Sequence, residues 1–328
     1  MLRYAFGAGL LMAVAMGFDW ILAFLLPVLS LSFLAPGKKP LGLGGGLIFV
    51  GSVALACSLG LLLAYFFLSN PPIHILITFL LLFHIFYTRS PIFTSYVKVW
   101  LLVAILVIPN IALQSHELAT IVAMNLIVDA VCAVFLIWFI FLLFPENQQT
   151  VAQPEKNHAA PKAAPTMKER FATAFTSVLV VMPIYLVFYF ATVSNALVVL
   201  VFIAILSMQP AFAKDFRVGK ALIIGNTVGG LAALVAFEIL TVVPEYGYLL
   251  LLVLLGGLVF GQYVFGKGPG APVYGMAFST FLLIIGSVTG SSGEDAGGKV
   301  WWRVLQIMIA VIYVVSAFGL IEKLKSRG

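Results

Sequence analysis

The sequence predicts an all-α, polytopic membrane protein of about 12 transmembrane helices, arranged as two parallel six-helix repeats. Three observations predict it. Of the 328 residues, 62% are hydrophobic and only 9% charged, whereas a soluble domain carries about 25% charged residues. Apolar runs close to the ~20 residues that span a bilayer as helix recur from end to end, and mean hydropathy is +1.14. The punctuation between the runs falls twice in the same order.

The first run, LRYAFGAGLLMAVAMG, has a basic start and small residues near its end. It reads as the first span and not as a cleaved leader, because further apolar runs follow at once. Polar and Pro/Gly breaks then set spans at 3–18, 20–35, 42–68, 73–88, 93–113 and 118–144. A second set falls at 171–191, 196–212, 219–242, 247–265, 271–290 and 300–321. The first repeat is thus 1–144 and the second 171–321, followed by a short tail at 322–328. Between the repeats, PENQQTVAQPEKNHAAPKAAPTMKER (145–170) is rich in Pro, Ala and charge and has no apolar stripe, as expected of a flexible linker. No loop is suited to a soluble domain.

Basic residues favour cytoplasmic loops. With the N-terminus inside, only Lys299 and Arg303 of the 18 basic residues fall at the outer face, so both termini and the linker are expected in the cytoplasm. The net charge of +6 is then an orientation signal and a contact with anionic headgroups, and nucleic acid is not needed to explain it. Cys57 and Cys132 both lie within apolar runs and read as small core residues.

The halves resemble each other. Arg3-Tyr-Ala-Phe opens one and Arg170-Phe-Ala-Thr the other; GGGLIFVGSVALA (44–56) lies beside VGKALIIGNTVGG (218–230), pairing Gly45 with Gly219 and Gly51 with Gly225. TRSP (88–91) matches GKGP (266–269). An even number of spans per half makes the repeat parallel, about an axis along the membrane normal. The stretches PGKKPLGLGGGLIFVGSVALACSLG (36–60) and KDFRVGKALIIGNTVGGLAALVAF (214–237), each a basic loop followed by a glycine-bearing helix, resemble the fusaric acid resistance and aromatic acid exporter superfamily of bacterial inner-membrane proteins. The likeness covers nearly the whole chain but lacks the large cytoplasmic domains of the longer exporters. It implies export of aromatic carboxylic acids and related small molecules, often with a periplasmic adaptor (membrane fusion) protein. It extends to plant anion channels of the malate type.

Among candidate functional residues Asp129 stands out, alone in LIVDAVCAVFL. It lies nine residues beyond Thr120, about 13 Å along a helix at 1.5 Å per residue. At that depth an ionised Asp costs about 2.5–3.5 kcal/mol on insertion scales, so it must face the bundle interior. Asn125 precedes it by one turn on the same face, with Cys132 and Ala133 following. An ungapped alignment of Tyr96 with Tyr274 sets Asn125 opposite Arg303 and Asp129 opposite Ile307. On this register the polar stripe of span six faces Arg303 and Gln306 across the pseudo-two-fold. Three outcomes are open for the pair: a buried ion pair joining the halves, Arg303 attracting a substrate carboxylate while Asp129 exchanges a proton or gates the Arg, or no contact, with Arg303 too near the outer surface.

Asn226 and Glu238 are further candidates on span nine, where Gly225, Gly229 and Gly230 favour close helix packing over an unwound break. His84 is placed deep in span four, as a core hydrogen-bonder or a proton relay, and His74 and His116 in outer loops. The four histidines share no metal-ligand spacing. Pro109 and Pro183 mark helix kinks. Lys38, Lys39, Lys214, Arg217 and Lys220 form a basic inner rim, for topology and lipid contact or as an electrostatic funnel for anions.

No nucleotide-binding loop is present, so an ion gradient or a separate ATPase would drive transport. No constellation of nucleophile, base and metal marks an enzyme, and no cofactor is implied. The expected function is efflux of small organic anions across the bacterial inner membrane, proton-coupled through Asp129 and working with a periplasmic adaptor. A passive anion channel and a non-transporting membrane subunit of an envelope assembly are the alternatives. Lipids, the anionic substrate and further copies of the chain complete the expected partners.

Overall fold

In the computed structural model the chain is described over residues 1–20, 22–89, 95–145, 166–191, 197–208, 216–266, 268, 270–289 and 296–325. These residues form α1 (Leu2–Gly17), α2 (Leu25–Leu34), α3 (Leu43–Leu62, continued by a π-helical turn, Leu63–Phe67), α4 (Pro71–Tyr87), α5 (Ser95–Ala112) and α6 (His116–Leu143). The second set is α7 (Met167–Ala191), α8 (Leu197–Ser207), α9 (Phe216–Val242), α10 (Tyr246–Val264), α11 (Ala271–Thr289) and α12 (Ala296–Lys325). There is no strand among them. One helix stands within each apolar run, because run length and punctuation are local properties of the chain.

Helix ends follow local chemistry. Pro71 and Pro72 occupy the first turn of α4, where a missing N–H costs nothing. Ser115 Oγ accepts from the Leu118 N–H at 3.2 Å to cap α6. At α7 the Thr166 N–H donates to Glu169 Oε2 at 3.0 Å and the Glu169 N–H to Thr166 Oγ1 at 3.3 Å, a reciprocal capping box. Pro109 lies inside α5 and Pro183 inside α7, and both helices run on through them.

One helix is shorter than its apolar run suggests. The run expected at 20–35 is helical only over Leu25–Leu34, because Asp19 and Leu22 take left-handed backbone conformations (φ 54° and 63°) and turn the chain before α2 begins. At 10 residues α2 is about 15 Å long, half of the ~30 Å hydrocarbon layer. Of the run expected at 196–212, Leu197–Ser207 is helical among the described residues.

Among the described residues, six segments are long and apolar enough to cross a membrane: Leu43–Phe67, His116–Leu143, Met167–Ala191, Ile223–Val242, Tyr246–Val264 and Ala271–Thr289. Their outer faces carry exposed large apolar side chains. On α6 these are Leu118, Ile121, Met124, Val128, Phe135, Phe139 and Leu142, spaced three to seven residues apart along one side. Such a surface is compatible with lipid and not with water. The chain is a multi-pass membrane protein.

The core is organised around α5 and α11. Residues 100–110 of α5 are buried without interruption, as are 280–286 of α11, so each is enclosed on all sides. Around them α3 packs on α5 and α6, and α9 on α11 and α12; α1 packs on α2, α6 and α10, and α7 on α8, α12 and α4. The first six helices meet the last six where α1 crosses α10, α4 crosses α7, α5 meets α8 and α2 meets α11.

Candidate functional site

Asp129 lies on the packed side of α6 with Leu126, Ala130, Ala133 and Val134, and its exposure is 0%. Asn125 and Cys132 flank it at the edge of that face, half-buried. Across from it, the Cys57 thiol of α3 is within electrostatic reach of the carboxylate, as is the Cys132 thiol of its own helix. Both carboxylate oxygens are buried and neither makes a hydrogen bond among the described residues. A buried carboxylate at membrane depth with no hydrogen bond among the described residues is costly in its charged form.

The helix expected opposite does not stand there. Among the described residues α6 packs on α1, α2, α3 and α5, and α12 on α7, α8, α9 and α11. Each sixth helix is packed within its own set, and Asp129 has Cys57 of α3 within electrostatic reach. Arg303 belongs to α12, with its side chain outside the described residues. Gln306 is buried on α12.

Asn226 is buried on α9, and its Oδ1 accepts from the Thr280 hydroxyl of α11 at 2.6 Å. Beside it, α9 and α11 approach through glycine. A Cβ added at Gly229 would come within 2.2 Å of the Ala277 carbonyl oxygen, and one at Gly225 within 3.0 Å of that of Val273. Helix α9 is continuous here, so these glycines serve close packing. The first set has its own close approach at Gly60, where a Cβ would lie 2.7 Å from the Ala104 carbonyl oxygen. Gly51, aligned with Gly225 in sequence, is exposed and has no neighbour within 4 Å.

The remaining candidates are scattered. Glu238 is exposed near the end of α9. His84 is exposed in the last turn of α4, with Thr88 Oγ1 3.3 Å from its Nε2. This corrects its expected deep position: it points away from the packed face that carries Thr78, Leu82 and Ile85. Lys38 and Lys39 are exposed between α2 and α3, and Lys220 is exposed on α9. Lys214 lies outside the described residues, as does the side chain of Arg217. The structure therefore brings Asp129 and Asn125 together on α6, and places Asn226 and Gln306 on the adjoining helices α9 and α12.

Sequence reasoning missed one buried polar cluster. His74, expected in an outer loop, has 0% exposure. Helix α4 begins at Pro71 and carries the imidazole into the α4–α7 contact, where its Nε2 is 2.6 Å from the Tyr185 hydroxyl and its ring stacks on Tyr189 at 5.1 Å. The Tyr189 hydroxyl donates to the Leu68 carbonyl at 3.1 Å, just after the π-helical turn. The available signal was the pair Tyr185 and Tyr189, one helical turn apart on α7. Arg3, read from sequence as a topology signal, is also buried, with its guanidinium 4.2 Å from the Phe141 ring centroid.

A family described as "Protein of unknown function (DUF2955)" matches residues 1–140, from α1 through Asp129 into the last turns of α6. No curated protein and no solved structure matches the chain.

Proposed function

We propose that the protein is a bacterial inner-membrane efflux transporter for small organic anions such as aromatic carboxylic acids. Transport is proton-coupled and works with a periplasmic adaptor protein. The observation that carries this reading is Asp129, a fully buried carboxylate with no hydrogen bond among the described residues. An acid at membrane depth with no hydrogen-bond partner among the described residues is suited to binding and releasing a proton as access alternates.

The architecture in this reading is two parallel six-helix repeats with both termini in the cytoplasm. Its support is the recurrence of neighbours. The contacts α3–α5, α3–α6, α1–α2, α5–α6, α1–α10, α5–α8 and α2–α6 return as α9–α11, α9–α12, α7–α8, α11–α12, α7–α4, α11–α2 and α8–α12. Each partner is shifted by six helices.

The test is transport by the purified chain in proteoliposomes under an imposed pH gradient, with benzoate as the probe acid. Wild-type protein accumulates benzoate with the gradient, and Asp129→Asn loses the gradient dependence. An unchanged rate and pH response in Asp129→Asn overturns the coupling role. A second reading rests on the 0% exposure of the same residue: a sealed acid suits a non-transporting membrane subunit that anchors an envelope assembly. That reading requires that neither wild-type nor variant protein moves benzoate or related acids at any gradient.

A further inference from the structure

The end of α4 gathers positive charge that no acid balances among the described residues. Arg170, in the first turn of α7, donates from Nη2 to the Tyr87 carbonyl at 3.1 Å and stands over the Tyr87 ring, 4.7 Å from its centroid. Lys98, in the first turns of α5, donates from Nζ to the Thr88 carbonyl. Arg89 follows directly and is exposed. Lys98 is within electrostatic reach of both Arg89 and Arg170, so its ammonium stands against two guanidinium groups. The nearest acid in sequence, Glu169, is engaged in the capping box with Thr166.

Capping carbonyls at a helix C-terminus is favourable for one cation. It does not account for three, nor for the Arg170 Nε, which is buried without a hydrogen bond. Directly beyond the cluster, the seam between α4 and α7 is aromatic. Phe83 packs on Phe171 at 5.1 Å between ring centroids, and Phe171 stacks on Phe175 at 6.2 Å. Phe171 and Phe175 are 54% and 40% exposed. A basic head of three cations above an exposed apolar strip has the amphipathic order of a phospholipid.

We infer that Arg89, Lys98 and Arg170 form a binding site for the phosphate of an anionic phospholipid, whose acyl chain lies along Phe171 and Phe175 at the α4–α7 seam. The site joins the first six helices to the last six, since Arg89 and Lys98 come from one set and Arg170 from the other. A bound phosphate would offset the repulsion on Lys98 and give the guanidinium of Arg170 an acceptor. A zwitterionic lipid with the same chains offers less net charge and binds more weakly.

The test is native mass spectrometry of the purified full chain, released from micelles with phosphatidylglycerol or with phosphatidylcholine of identical acyl chains. Phosphatidylglycerol is expected to be retained preferentially, and Arg89→Gln to reduce that retention about fivefold, as the loss of one Lys or Arg contact near a membrane surface implies. Arg89 is exposed and makes no capping bond among the described residues, so this variant is expected to keep its fold; Lys98→Gln is the second variant, and the thermal transition of both is measured alongside in phosphatidylcholine micelles. Equal retention of both lipids, or unchanged phosphatidylglycerol retention in Arg89→Gln and Lys98→Gln, overturns the site. A further arm adds soluble glycerol phosphate. If it displaces phosphatidylglycerol completely at equal concentration, the aromatic strip contributes nothing and the assignment to a lipid is wrong.

Discussion

The seam around α5, where α3 and α6 pack, and the seam around α11, where α9 and α12 pack, treat polar residues in opposite ways. In the second, Asn226 and Thr280 satisfy each other at 2.6 Å beside glycines that let α9 and α11 touch through their backbones. In the first, Asp129 is sealed against α3 with both oxygens unbonded among the described residues. An unsatisfied buried polar group costs about 1–3 kcal/mol, whereas a bonded pair is about neutral or favourable. The second seam is therefore spent on stability, and the first carries a stability cost that invites a functional explanation.

The largest expected effect breaks the second seam. Gly229→Leu places a Cβ where the Ala277 carbonyl oxygen stands, 2.2 Å away, and two backbones must part. A loss of about 3 kcal/mol or more is expected, read as a lowered thermal transition and loss of monodispersity in detergent. If Gly229→Leu is tolerated, the α9–α11 contact is looser than described and the contrast with the first seam fails.

Next in size, Asp129→Leu is expected to stabilise the fold by about 1–3 kcal/mol by removing an unbonded polar group, while abolishing gradient-dependent benzoate transport. Chemical or thermal denaturation in the same detergent checks the first half. Destabilisation instead would mean that the carboxylate is bonded in the folded state, and the two seams would then be alike.

In the other seam the same kind of change has the opposite sign. Asn226→Leu leaves the Thr280 hydroxyl with a lost acceptor and is expected to cost about 1–2 kcal/mol. Combining it with Thr280→Val should recover most of that loss, with a coupling near 1 kcal/mol in a double-mutant cycle. The smallest effect sharpens the glycine comparison. Gly51→Ala, at an exposed helical position with open space around it, should stabilise by about 0.5–1 kcal/mol through backbone entropy alone. Gly225→Ala, its counterpart in the sequence alignment, should destabilise, since its Cβ would meet the Val273 carbonyl oxygen at 3.0 Å.

Much of the fold was legible in the sequence, and less of the site. Each apolar run contains one helix, and Asp129 could be placed on a buried face because an ionisable group at that depth has nowhere else to go. The register that set Asp129 opposite α12 failed for a different reason. It assumed that corresponding helices meet at a central axis, and the helices instead pack within their own sets, with α1–α10 and α4–α7 joining them. His84 and His74 exchanged their expected environments because rotation about the helix axis was invisible. A lipid-facing side of α4 and its core-facing side are equally apolar, so no amphipathic stripe marks which is which.

Helix number, order and approximate ends were thus determined by the sequence alone, since length of apolar run, capping residues and proline act within a few residues of where they stand. The tertiary structure decided which polar groups meet. It put His74 against Tyr185 across 111 residues of chain, paired Asn226 with Thr280, left Asp129 unbonded and drew Arg89, Lys98 and Arg170 to one helix end. Those outcomes depend on which helices are neighbours and how each is rotated. In a chain apolar toward both lipid and core, that information resides in backbone approach and side-chain shape, not in the pattern of hydrophobicity.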